Sequence, residues 1–95
     1  MKKATIHWLK PEEGGRKTLP ASTTTYYATT VLDETPKHWS IVIQFEKPLA
    51  ADEYMAPCKI SFLVDTAPFH VLEEAGELDV YEGPKKVAKV VIDNN

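Results

Sequence analysis

Apolar and polar residues alternate with a period of two along most of the chain, the mark of strands with one buried face, while helical spacing is scarce. Ile6 and Trp8 alternate with Thr5, His7 and Leu9 in a first strand that ends at Lys10-Pro11. Glu12-Glu13-Gly14-Gly15-Arg16 then reads as a turn, since adjacent glycines supply positive φ at no steric cost. Thr23 to Val31, rich in Thr and Tyr, suits a pleated surface and forms a second strand, which Asp33-Glu34-Thr35-Pro36 closes. Trp39, Ile41, Ile43 and Phe45 face one way and Ser40, Val42 and Gln44 the other, the clearest strand in the chain. Pro48 to Pro57 is a connection with Leu49 and Met55 tucked beneath it.

Cys58 to Val64 is apolar apart from Lys59 and Ser61, which predicts a strand through the middle of a sheet. Asp65 to Phe69 is a Pro-containing loop, and Val71-Leu72-Glu73-Glu74 fits one helical turn ended by Ala75-Gly76. Glu77 to Glu82 alternates again with Leu78 and Val80 inward, and Gly83-Pro84 reverses the chain. Lys86 to Ile92 returns, with Val87 and Val91 opposite Ala88, Val90 and Ile92. Six strands with turns at short intervals predict an all-β barrel or sandwich, one domain over residues 1–95.

Composition narrows the function classes. Apolar residues are 43% and charged residues 26% of the chain, ordinary values for a globular domain. The net charge of −3 gives no overall polycationic signature. Cys58 is the single cysteine, so an internal disulfide is impossible and a reducing, cytoplasmic setting is expected. The chain contains no apolar run long enough to span a membrane. Charge position says more than charge total. Residues 1–32 carry five basic against two acidic side chains, residues 33–82 three against eleven, and residues 83–95 three against one. Both ends are basic and the middle is acidic.

Catalytic patterns are missing. Gly14-Gly15-Arg16-Lys17-Thr18 has residue types of a phosphate-binding loop but neither its spacing nor a following helix, so no nucleotide is expected. His7, His38, His70 and Cys58 lack the close spacing of zinc ligands, so no metal or other cofactor is expected. His7 reads as an outward strand residue and Cys58 as a small core residue. Ser22, Ser40 and Ser61 lack a nucleophile-elbow context, and the pairs Asp52-Glu53 and Glu73-Glu74 read as solvated charge, so no enzyme activity is expected. What stands out is two basic turns, Gly14-Gly15-Arg16-Lys17 and Gly83-Pro84-Lys85-Lys86. Such turns can follow a phosphate backbone, or serve as sheet-edge lysines that discourage aggregation.

Leu9-Lys10-Pro11-Glu12-Glu13-Gly14-Gly15-Arg16-Lys17 resembles the start of the third, C-terminal β-barrel domain of translation elongation factor Tu, where a strand is followed by a Glu-Glu-Gly-Gly-Arg-His turn. Further similarities keep the family's order. Tyr26-Tyr27-Ala28-Thr29-Thr30 resembles an aromatic strand ending Arg-Thr-Thr, and Tyr54-Met55-Ala56-Pro57 a Met-Val-Met-Pro turn. Glu73-Glu74 and Leu78 to Gly83 resemble a Glu-Glu-Gly segment and a Phe-Ala-Ile-Arg-Glu-Gly strand and turn, and Val87 to Ile92 the last Val-rich strand. The chain departs from the pattern at Lys17 (for His), Ala28 (for Arg), Pro84 (for Gly), and Ala88 and Val90 (for a Gly-x-Gly); the family's Gly-Tyr-Arg-Pro-Gln segment is missing.

The resemblance implies an antiparallel barrel of six or seven strands, with the two basic turns near each other. Expected core residues are Trp8, Tyr27, Trp39, Ile41, Ile43, Phe45, Ile60, Phe62, Leu78 and Val91. It implies contact with tRNA or another structured RNA through Arg16, Lys17 and Gly83, to which the charges of Lys85 and Lys86 add. A protein partner in the translation machinery is the other implied contact. The family's GTPase domain and second barrel are absent from the sequence, so nucleotide hydrolysis is not expected. The expected function is a stand-alone, non-catalytic binding module; the alternative is a protein-interaction barrel without RNA binding.

Overall fold

The computed structural model describes residues 1–20, 23–32, 35–64, 74 and 76–93. Six strands form a closed antiparallel barrel: β1 (Lys2–Trp8), β2 (Thr25–Leu32), β3 (Thr35–Phe45), β4 (Met55–Phe62), β5 (Glu77–Glu82) and β6 (Lys85–Ile92). Around the barrel the order is β1-β4-β3-β2-β5-β6, with β6 returning to β1. The expected loop at Asp65–Phe69 and helical turn at Val71–Glu74 lie outside the described residues apart from Glu74.

Side chains fill the interior. Ile6, Ile41, Ile43, Ile60, Val80 and Val90 are fully enclosed, a layered β-branched core of the kind small barrels need. Trp8 and Phe45 are buried near one end, with Trp8 edge-on to Tyr26 at 5.2 Å between ring centres. Most of the expected core is found there, with corrections on β2, β3 and β6. Tyr27 is 64% exposed and Tyr26 takes the inward position instead, in phase with the buried Thr30. Trp39 is only half-buried, edge-on to Phe62 at 6.3 Å.

Val91 faces out, because the inward set on β6 is Ala88, Val90 and Ile92. Val87 joins that set through a register shift opposite Val80 and Tyr81, a bulge that lets two consecutive residues bury.

β3 is longer than predicted, starting at Thr35, and the register with β2 jumps so that Pro36 falls among the unpaired residues. A proline is tolerated there because it has no ladder hydrogen bond to give. β4 alternates in burial along its length instead of running apolar through a sheet, and Met55 opens it facing outward. Pro57 lies one step beyond the last β3–β4 pair, Phe45 with Cys58, again where no donor is required. Leu49 is buried under the β3–β4 connection, as expected.

In a six-strand ring β1 and β2 stand opposite each other, so the chain between them crosses one end of the barrel. Leu19 is buried on that crossing. Antiparallel pairing brings the β3–β4 connection and the β5–β6 turn to the same end.

Candidate RNA-binding turns

The first basic turn is built by its own backbone. A single 3-10 turn covers Pro11–Glu13, and the Lys10 carbonyl accepts from the amides of Glu13 (2.8 Å) and Gly15 (3.0 Å). Glu13 closes the turn from the other side, its carboxylate accepting from the Lys10 amide at 2.9 Å. The two glycines serve different needs. Gly14 sits at φ 89°, which L side chains resist, whereas at Gly15 a Cβ would collide with the Leu9 carbonyl. The Glu-Gly-Gly part of the motif is therefore accounted for by turn construction alone.

Arg16 leaves this turn toward the opposite hairpin. Its guanidinium pairs with the Glu82 carboxylate, which also accepts from the Tyr26 hydroxyl, and its Nε donates to the Thr18 carbonyl at 2.9 Å. The guanidinium also lies 5.9 Å from the centre of the Tyr26 ring. Burial works against the Arg16 charge, but the hydrogen bond and charge of Glu82 outweigh it, so the guanidinium pKa is raised. Burial raises the Tyr26 hydroxyl far above the ordinary tyrosine range, with the hydrogen bond and charge of Glu82 adding to it. Glu82 is the last residue of β5, so this contact ties the first basic turn to the second.

The second turn is the tight connection of β5 and β6. Glu82 pairs with Lys85, and between them Gly83 adopts φ 60° before Pro84, whose ring fixes a negative φ; this residue order suits a type II′ hairpin. Lys86 reaches Asp79 at 3.0 Å, and Lys89 on the same strand reaches Glu77 at 3.4 Å.

All five expected contact residues therefore lie at one end of the barrel, in two different electrostatic states. Arg16 and Lys86 are ion-paired, while Lys17, Gly83 and Lys85 are exposed and outside any ion pair among the described residues. The surroundings are mixed in sign. Residues 9–20, 23–24, 46–54 and 82–86, which form this end, carry six basic and six acidic side chains. Lys10 adds a cation beside the ring of Tyr54, at 5.9 Å. Sequence reading missed Glu82 and Tyr26 as partners of Arg16, because nothing in a linear pattern joins positions 16, 26 and 82 before the ring order of strands is known.

Cys58 is buried as expected, and burial, then the charge of Asp93, pushes its thiol up to about 12. His7 is exposed on β1, and His38 on β3 contacts Thr29 at 3.3 Å and the edge of Tyr81. Among the described residues no three His, Cys, Asp or Glu side chains are grouped to hold a metal ion, and no helix is long and apolar enough to cross a membrane. The sequence matches no protein-family model and no curated protein.

Proposed function

We propose that this barrel is a non-catalytic, cytoplasmic binding module of the elongation factor Tu C-terminal type, which engages tRNA or a similarly folded RNA through its two basic turns. The observation that carries this reading is the Arg16–Glu82 pair, which fastens the first turn to the base of the second. Lys17 and Lys85 then project from turns held in a fixed relation, and Gly83 leaves the backbone open to close approach. Preorganised cations on tight turns suit a phosphate backbone of set shape better than a base sequence.

A second reading has its own support. Arg16 and Lys86 are already paired with acids, and acidic side chains equal basic ones at this end. That mixture suits a polar protein surface, so a translation-machinery protein is the partner if RNA is not.

Titrating labelled folded tRNA at two salt concentrations decides between them. The RNA reading expects log K to fall by about 0.7–0.9 per log unit of salt for each phosphate engaged, so with two to four phosphates contacted a total slope of roughly −1.4 to −3.6. Absence of binding at low salt removes the RNA reading and leaves the protein-interaction module.

A further inference from the structure

The outer wall of the barrel carries its charges on one side. From β5 through β6 to β1 the outward residues include Glu77, Asp79, Lys86, Lys89 and Lys3, with Lys86 paired to Asp79 and Lys89 to Glu77. From β4 across β3 to β2 the register sets out two rows instead, Ser61-Val42-Tyr27 and Leu63-Ser40-Thr29. Leu63 belongs to the second row because its amide donates to the Ser40 carbonyl at 3.0 Å, one step past the pair of Ile41 with Phe62. None of these side chains carries a formal charge, although charged residues make up 26% of the chain.

The same rows hold large exposed side chains. Tyr27 is 64% and Leu63 56% exposed, and Val42 is half-buried between Tyr27 and Ser61. The hydroxyls of Tyr27, Ser40 and Ser61 have no hydrogen-bond partner among the described residues. Lys59 on β4 and Asp79 on β5 stand at the margins. A charge-free centre holding an aromatic ring, with charges only at its rim, is the composition that separates a protein interface from ordinary surface.

We infer that this face packs against the same face of a second copy of the chain, as a weak, reversible two-fold dimer. A two-fold interface sets one patch against itself, so the patch must complement itself. A patch of one charge sign cannot do so, whereas hydroxyls can, since each both donates and accepts. Tyr27, Val42 and Leu63 supply apolar surface for two sheets laid face to face, about 10 Å apart. Contact desolvates no ion, and the charged walls of a chain of net charge −3 are left outermost, farthest from each other.

Three strands with their margins present roughly 400–500 Å², at about 4.8 Å between strands and about 6.8 Å between alternate residues. A dimer then buries about 800–1,000 Å² in all, less than a standard stable interface. The dissociation constant is therefore expected on the order of 0.1–1 mM. The face uses none of the residues of the two turns and stands whether or not those turns bind RNA.

The test is a concentration series of the ¹⁵N-labelled protein from about 0.05 to 1 mM, read by sedimentation equilibrium and by amide chemical shifts. The average mass should rise above that of one chain, with concentration-dependent shifts at residues 27, 40, 42 and 61. Tyr27→Lys and Ser40→Lys place like charges across the two-fold axis, and each should weaken association at least about tenfold. Both positions are exposed, so the denaturant midpoint should stay near that of the wild type. Each lysine also lowers the net negative charge, so lost association cannot be ascribed to overall repulsion.

His7→Lys makes the same charge change at an exposed position on β1 and should leave association unchanged. The dimer is overturned if the wild type stays a single chain at about 1 mM, if the Tyr27 and Ser40 variants associate like the wild type, or if the concentration-dependent shifts map to another face. Shifts at residues 27, 40 and 61 on adding folded tRNA, with none on raising concentration, would give the face to RNA and overturn it equally.

Discussion

The Thr30 hydroxyl donates a 2.7 Å hydrogen bond to the backbone carbonyl of Asp79, and this bond lies on the seam where the barrel closes. Among the described residues β2 and β5 share one registered pair, Thr29 with Tyr81, whereas the other neighbours share five or more. Side chains add to this seam: Thr30 on Asp79 inside the wall, Arg16 and Tyr26 on Glu82 at its end, and His38 against Tyr81 outside. A fully buried threonine is tolerated in the core because its one polar atom has a partner.

Thr30→Val keeps the shape and removes the donor, leaving the Asp79 carbonyl short of its partner. A loss of about 1–3 kcal/mol is expected, with Thr30→Ser closer to the wild type in hydrogen bonding though short of a methyl group. Denaturant unfolding of both variants checks this. A Thr30→Val midpoint equal to the wild type would mean that the seam closes without this bond.

Trp8 and Trp39 should separate in the same experiment. Trp8 is 4% exposed among Tyr26 and Phe45, so Trp8→Ala should cost about 3–5 kcal/mol. Trp39 is half-buried on the Phe62 edge, and Trp39→Ala should cost about 1–3 kcal/mol. Equal losses would place both rings in one core.

These differences mark how much of the fold is legible in the sequence. Period-two alternation located all six strands and their inner faces wherever apolar and polar residues differ clearly, as from Trp39 to Phe45. It missed the phase where neighbours are alike. Tyr26 and Tyr27 are interchangeable in a pattern, and a one-residue slip turns every side chain to the other face. On β6 the run Val87-Ala88 hides a bulge, so Val91 changes sides. The turn residues themselves were readable, since Gly14, Gly15 and Gly83 each meet a local backbone demand. Their electrostatic state was not, because Glu82 and Asp79 reach Arg16 and Lys86 only through the strand order.

That electrostatic difference separates stability from binding within one turn. Arg16→Gln removes a guanidinium from Glu82 and from the Tyr26 ring, and should cost about 1–2 kcal/mol. Lys17→Gln and Lys85→Gln, at exposed positions, should change stability by less than about 0.5 kcal/mol. If the turns bind folded RNA, Lys17→Gln and Lys85→Gln should each flatten the salt slope by about one phosphate equivalent. Arg16→Gln should weaken binding mainly by loosening the turn. An Arg16→Gln protein as stable as the wild type would show that the ion pair with Glu82 does not hold the turn.

Alkaline pH should destabilise this fold from about pH 9 upward. Cys58 and Tyr26 both have pKa values raised in the folded state, Cys58 to about 12 from an ordinary value of 9.0, and Tyr26 from 10.0. The folded protein thus holds two protons that the unfolded chain releases as pH climbs past about 9 and 10, and unfolding gains free energy from that release. Their contribution to stability is complete below pH 9 and declines above it, by a total on the order of 3 kcal/mol at pH 11. Denaturant midpoints between pH 7 and 11 measure the decline, and Cys58→Ala should remove the part that begins near pH 9. Iodoacetamide gives an independent reading of the same burial: it should modify Cys58 slowly in native protein at pH 8 and rapidly in denaturant. A midpoint flat to pH 11, with fast native alkylation, would mean that water reaches the interior around Cys58.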